Sequence, residues 1–148
     1  MKTINTMNIL NHTHSGLRWI ALILLIWAIT NAFTAKRFEK KHKMINLFAM
    51  VCLHIQLVIG LIQYFTSAKV QFTAGWMKDP LLRFYGMEHL AGMLLAIILI
   101  TIGYSKAKRK ENDADKFKVI RLFYSIGLII ILLSIPWPFR AYLGGGWF

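Results

Sequence analysis

Glu88 and His89 stand side by side near the start of an apolar run, LRFYGMEHLAGMLLAIILITIGY, at positions 82–104. A run of that length crosses a bilayer as a helix, which needs roughly 20 apolar residues. A carboxylate and an imidazole inside hydrocarbon are costly unless something binds them, so they are candidates for function. His14 and His54 fall at the edge of, or inside, two other apolar runs. Neutral imidazoles are metal ligands, and a pair of them on facing helices is the axial set a b-type haem needs. The interior of a helical bundle supplies the dry slot for the ring. The chemistry these residues suggest is one-electron transfer, with His14, His54 and His89 as the metal-ligating candidates.

Depth decides which histidines can pair. At a rise of about 1.5 Å per residue, His89 lies roughly 10 Å, and His54 roughly 16 Å, from the end of its run nearest the 66–81 connection. His14 is at the corresponding boundary of the first run. His54 with His89, or His14 with His89, can therefore share a level; His14 and His54 are too far apart in depth for one metal. Gly92 follows His89 by about one turn and leaves room for a flat macrocycle, as Gly16 and Gly60 do on their helices. Met93, at i+4 from His89, can pack on the ring. Arg18, at i+4 from His14, shares its face and is a cation for a propionate, with Arg83 and Arg140 at the same end of the chain's helices. The cofactor-binding set is thus His14, His54, His89, Arg18, Gly92 and Met93. The plainer alternative is that these polar groups only hydrogen-bond between helices.

Glu88 is the sole acidic residue within an apolar run. The favoured reading is an intramembrane ion pair between Arg18 and Glu88, which lie at similar depth. A proton-exchange role, or a hydrogen bond to a ligating histidine on another helix, is the sharper one. Successive residues point about 100° apart, so Glu88 does not orient His89 itself. By the same geometry Gln56 and His54 cannot both face one pocket, and Gln56 is expected to bond another helix. His42 reads as a solvated residue of a basic connection, and His12 as solvated or interfacial. Cys52 reads as a small buried apolar residue. Trp19, Trp27 and Trp137 read as interface or packing residues.

The chain is 57% hydrophobic and 16% charged, with mean hydropathy +0.52. Soluble domains sit nearer 45–50% apolar and about 25% charged, so a membrane protein is expected. The elements that must position the histidines are four spans, at about 15–35, 44–65, 82–104 and 119–135 of one transmembrane domain over residues 1–148. Pro136 and Pro138 stop the fourth. Trp147 and Phe148 suit an interfacial anchor. The polar amino terminus lacks a cleavable-signal layout, so the first span is expected to remain as an anchor. The single cysteine allows neither a disulfide nor a haem-attachment motif, so any haem is non-covalent.

The net charge of +12 could suggest nucleic acid, but 12 of the 18 Lys and Arg fall in the connections 36–43 and 106–121. Short basic runs between apolar segments set topology, so no nucleic-acid partner is expected. The positive-inside rule then puts both termini and the 66–81 connection outside, in the periplasm of a bacterium, with the chain in the inner membrane. Short connections predict an all-α, up-down-up-down four-helix bundle.

The motifs HSGLRW at 14–19, HIQLVIGLIQY at 54–64, VQF at 70–72, RFYGMEH at 83–89 and IPWPFR at 135–140 resemble a family of small bacterial four-helix membrane proteins described as cytochrome b-like. More distantly the chain is similar to cytochrome b561-type proteins and to one half of haem A synthase. By position, the resemblance implies His14, His54 and His89 as haem ligands. The fourth span has no histidine, whereas two stacked bis-histidine haems need four ligands. The expected function is a membrane b-type cytochrome with one haem b near the periplasmic side, passing electrons between a quinol and a partner. The alternative is a non-catalytic structural or assembly subunit, whose partners are the other subunits of a larger membrane complex.

Overall fold

The computed structural model describes residues 2–147. Phe148, expected beside Trp147 at the interface, lies outside the described residues. Four long helices dominate: α1 (Lys2–Thr34), α2 (Lys40–Thr66), α3 (Pro80–Lys108) and α4 (Asp113–Ser134). Each contains a stretch long and apolar enough to cross a membrane, which marks a multi-pass membrane protein. Among the described residues there is no strand. Short 3-10 turns occupy Trp76–Lys78 and Ala141–Leu143.

Local chemistry sets the helix ends. The Asp79 carboxylate accepts the Leu81 and Leu82 amides at 2.8 and 3.0 Å, and Pro80 opens α3. Asn112 caps α4 through the Asp115 amide at 2.7 Å. Such caps satisfy amides that a helix start leaves unpaired. His42 is a correction to the expected solvated residue. It is buried, its Nδ1 accepts the Glu39 amide at 3.0 Å, and its ring packs between Phe38 and Phe117. It serves the capping box at the start of α2.

α1 begins well before the apolar stretch does. Hydropathy falls over NILNHTH, yet the helix continues, and two of the polar side chains there find partners. Asn11 accepts a hydrogen bond from Gln63 of α2 at 2.8 Å, and Thr13 bonds back to the Ile9 carbonyl at 2.8 Å.

α1 packs on α2 and α4, and α3 also packs on α2 and α4. The seams are lined by small residues: Ala21, Ala28 and Ala32 on α1, Ala49 on α2, and Ala96 on α3 are all buried. Small residues let membrane helices approach closely. A β-carbon on Gly127 of α4 would come within 2.7 Å of Ile100, and one on Gly103 of α3 within 2.5 Å of Phe123. Tyr124 is fully buried and donates to the Asn46 carbonyl at 2.9 Å, tying α4 to α2. Ile23, Ile26, Trp27, Phe33, Leu95 and Ile98 face outward, as lipid-facing side chains do.

α3 is interrupted by a π-helical turn at Phe84–Glu88, immediately before His89. After α4 the chain turns at Pro136 and Pro138 and folds back over the same end of the molecule. Leu143 is fully buried, and Gly144 takes the left-handed conformation, φ 56°.

Candidate functional site

A cavity of about 420 Å³ opens between the helices at the end where α1 begins and the tail returns. Its polar wall holds His14, Arg18, Gln56, Lys69, Tyr85 and His89. Its floor is aliphatic, from Leu22, Leu25, Leu53, Ile97 and Ile131. No carboxylate lines it among the described residues. Two cations over an apolar floor make it suited to an anionic amphiphile.

His14 and His89 face each other with ring centres 6.4 Å apart and planes at 73°. Each is placed by a neighbour. His89 donates its Nδ1 proton to the Ser134 carbonyl of α4 at 2.7 Å. A neutral ring bonded in this way keeps its lone pair on Nε2, the tautomer a metal ligand uses. His14 is braced by Gln56, whose amide donates to the His14 carbonyl at 2.8 Å. The absent side chain of Gly60 makes room for the His14 ring, whose Cε1 would lie 3.3 Å from a β-carbon there. The His14 Nδ1, the Gln56 Oε1 and the Arg18 Nε are buried with no partner among the described residues. Buried polar atoms without a protein partner around one cavity are groups that water or a bound molecule can satisfy.

The ring centres of His14 and His89, 6.4 Å apart, are close enough for both imidazoles to reach one bound group. Among the described residues no group of three or more His, Cys, Asp or Glu is placed to hold a metal ion. Two imidazoles leave a four-coordinate ion two ligands short, but suffice for a macrocycle that brings its own nitrogens. Two imidazoles are a donor set that a haem can use.

The remaining sequence-derived residues divide. Met93 lines the cavity. His54 does not: it lies on the exposed face of α2, and its Nδ1 donates to the Met50 carbonyl of its own helix at 2.8 Å. Gln56, expected on a different face from His54, is the one that turns inward. Gly92 is set against α4 rather than the cavity, where a β-carbon would overlap the Ser134 hydroxyl. Its space is filled by helix packing and is not open to a macrocycle.

The expected Arg18–Glu88 ion pair is corrected. Glu88 instead accepts from the Arg83 Nε at 2.6 Å. The reason is the π turn, whose i, i+5 repeat brings residues 83 and 88 onto one face. Arg18 donates to the Trp147 and Gly146 carbonyls at 2.8 and 3.3 Å and lies 5.5 and 5.8 Å from the centres of the Trp19 and Trp137 rings. Arg140 also turns away, toward the Leu133 carbonyl and the Tyr142 hydroxyl. The second cation of the cavity is Lys69, which the sequence did not single out. Its ammonium donates to the Gly144 carbonyl at 3.1 Å and lies 4.8 Å from the centre of the Tyr85 ring. Tyr85 itself donates to the Leu143 carbonyl at 2.9 Å. The tail thus closes one side of the site, held by Arg18, Lys69 and Tyr85. Trp19 adds a fourth tie, from its indole to the Trp147 carbonyl at 3.0 Å.

Comparison with protein-family models, with curated proteins and with solved structures returns no match for this chain.

Proposed function

We propose that this protein is a b-type cytochrome of a bacterial inner membrane, an up-down-up-down bundle with both termini in the periplasm. His14 and His89 would hold one non-covalent haem b in the cavity. The observation that carries this reading is the facing His14–His89 pair, with the Nδ1 of His89 engaged by Ser134. Arg18 and Lys69, which line the cavity, would neutralise the haem propionates. Gln56 holds the α1 backbone at His14, and the aliphatic floor excludes water. The chemistry such a group would supply is reversible one-electron exchange. The location at one end of the helices supports electron transfer from a membrane quinol to a partner on that side, since a single site there does not cross the bilayer.

The test is an absorption spectrum of the purified full-length protein, oxidised against dithionite-reduced. A Soret band and one haem per chain are expected. His14→Ala and His89→Ala each lose the low-spin spectrum, while His54→Ala keeps it. A colourless, iron-free protein that co-purifies with a stoichiometric membrane partner supports the structural-subunit reading instead.

A further inference from the structure

The lysine-rich end of the molecule holds a second cavity, of about 310 Å³, with no part in the haem reading. It lies where α2 begins, α3 ends and α4 begins. Lys40, Lys43, Lys108, Lys110 and Lys116 line it. Lys116 is paired with Asp113 at 3.1 Å. The lone carboxylate in the wall, Glu39, is paired outward with Lys41 at 3.0 Å. The other four lysines make no ion pair among the described residues. Tyr104 is also in the wall, and its hydroxyl makes no hydrogen bond to another described residue.

Simpler causes account for only part of this. Retention of basic residues on the cytoplasmic side explains the sign of the charge. The negative end of the α3 dipole explains a lysine in its last turn. Neither explains why unpaired lysines from two separate segments converge on one cavity beside a free hydroxyl, at a cost in like-charge repulsion. An anion in the cavity removes that cost. Basic pockets between transmembrane helices at the cytoplasmic surface suit anionic lipid headgroups. Exposed Phe48 on α2 and Ile102 on α3 lie further along the same helices, where acyl chains would run.

The geometry points to a binding site for the phosphate of an anionic membrane phospholipid, with Lys40, Lys43, Lys108 and Lys110 as its cations and Tyr104 as a neutral donor. The full-length protein in neutral detergent is incubated with phosphatidylglycerol or phosphatidylcholine, and retained lipid is read by native mass spectrometry. One phosphatidylglycerol per chain is expected, with phosphatidylcholine not retained. The triple variant K43Q/K108Q/K110Q weakens retention about tenfold or more. K36Q/R37Q/K118Q, which removes the same charge from positions outside the cavity, changes it less than about twofold. Tyr104→Phe, which keeps every charge, weakens it about threefold. Equal weakening by the two triple variants, or no retained phosphatidylglycerol, overturns the proposal. So does saturation by inorganic phosphate without lipid retention, which assigns the cavity to a soluble anion.

Discussion

Gly92 touches neither imidazole, yet it sets how closely α3 approaches the residue that holds His89. A β-carbon there would overlap the Ser134 hydroxyl, and the Ser134 carbonyl takes the His89 proton. Gly92→Ala is expected to cost about 1–3 kcal/mol, the usual range for overpacking a tight contact. Thermal unfolding in detergent measures it, and the double variant Gly92→Ala/Ser134→Gly should regain most of the loss. If the single variant is as stable as the parent, the close α3–α4 contact is wrong. Glu88 makes the opposite prediction. Both members of its pair with Arg83 are more than a third exposed, at 39% and 38%, so solvent screens them. Glu88→Gln is expected to change stability by less than about 1 kcal/mol and to leave the spectrum of the proposed haem unaltered. A large spectral change would restore a direct role for Glu88 at the site.

At the scale of elements, the π turn at Phe84–Glu88 is what gives the start of α3 its present facing. It lets Tyr85 reach the tail, turns the Gly86 carbonyl to the Tyr64 hydroxyl at 2.8 Å, and leaves Glu88 beside Arg83. π turns often occur where a helix must re-aim side chains at a functional site. Tyr85→Phe keeps the ring and the turn and removes the hydroxyl that donates to the Leu143 carbonyl. A single such bond contributes about 0.5–1.5 kcal/mol, so trypsin cleavage after Arg140 should become about threefold faster in that variant than in the parent. Equal cleavage rates would show that the tail is held without the Tyr85 hydroxyl.

Across the whole molecule, what the sequence disclosed follows a physical division. Apolar run length made the four long helices legible, because hydrophobic matching to a bilayer depends on composition alone. The reach of α1 beyond its apolar stretch was not, because it depends on Asn11 meeting Gln63 across helices. Depth along a helix left His14 and His54 as rival partners for His89. Rotational phase separates them, and phase is set by packing of Ala21, Ala28 and Ala32, which no local pattern reveals. The π turn hid the Arg83–Glu88 pair for the same kind of reason: counting at 3.6 residues per turn assumes an unbroken helix.

The bias of the basic residues makes a claim about the whole molecule that no single contact carries. Twelve of the 18 Lys and Arg lie at the end opposite the histidine cavity, and that end should face the cytoplasm. Cys52 is the one native cysteine and is buried, so replacing it with Ala gives a background for single reporter cysteines. Lys78→Cys, beside the cavity end, should react with an impermeant maleimide on intact bacterial cells with the outer membrane permeabilised. Lys110→Cys should react only after the inner membrane is opened. Reversed labelling would turn the molecule over, putting the histidine pair toward the cytoplasm and the lysine cavity in the outer leaflet. A periplasmic electron acceptor would then be out of reach of the site, and the partner would have to be sought on the other side.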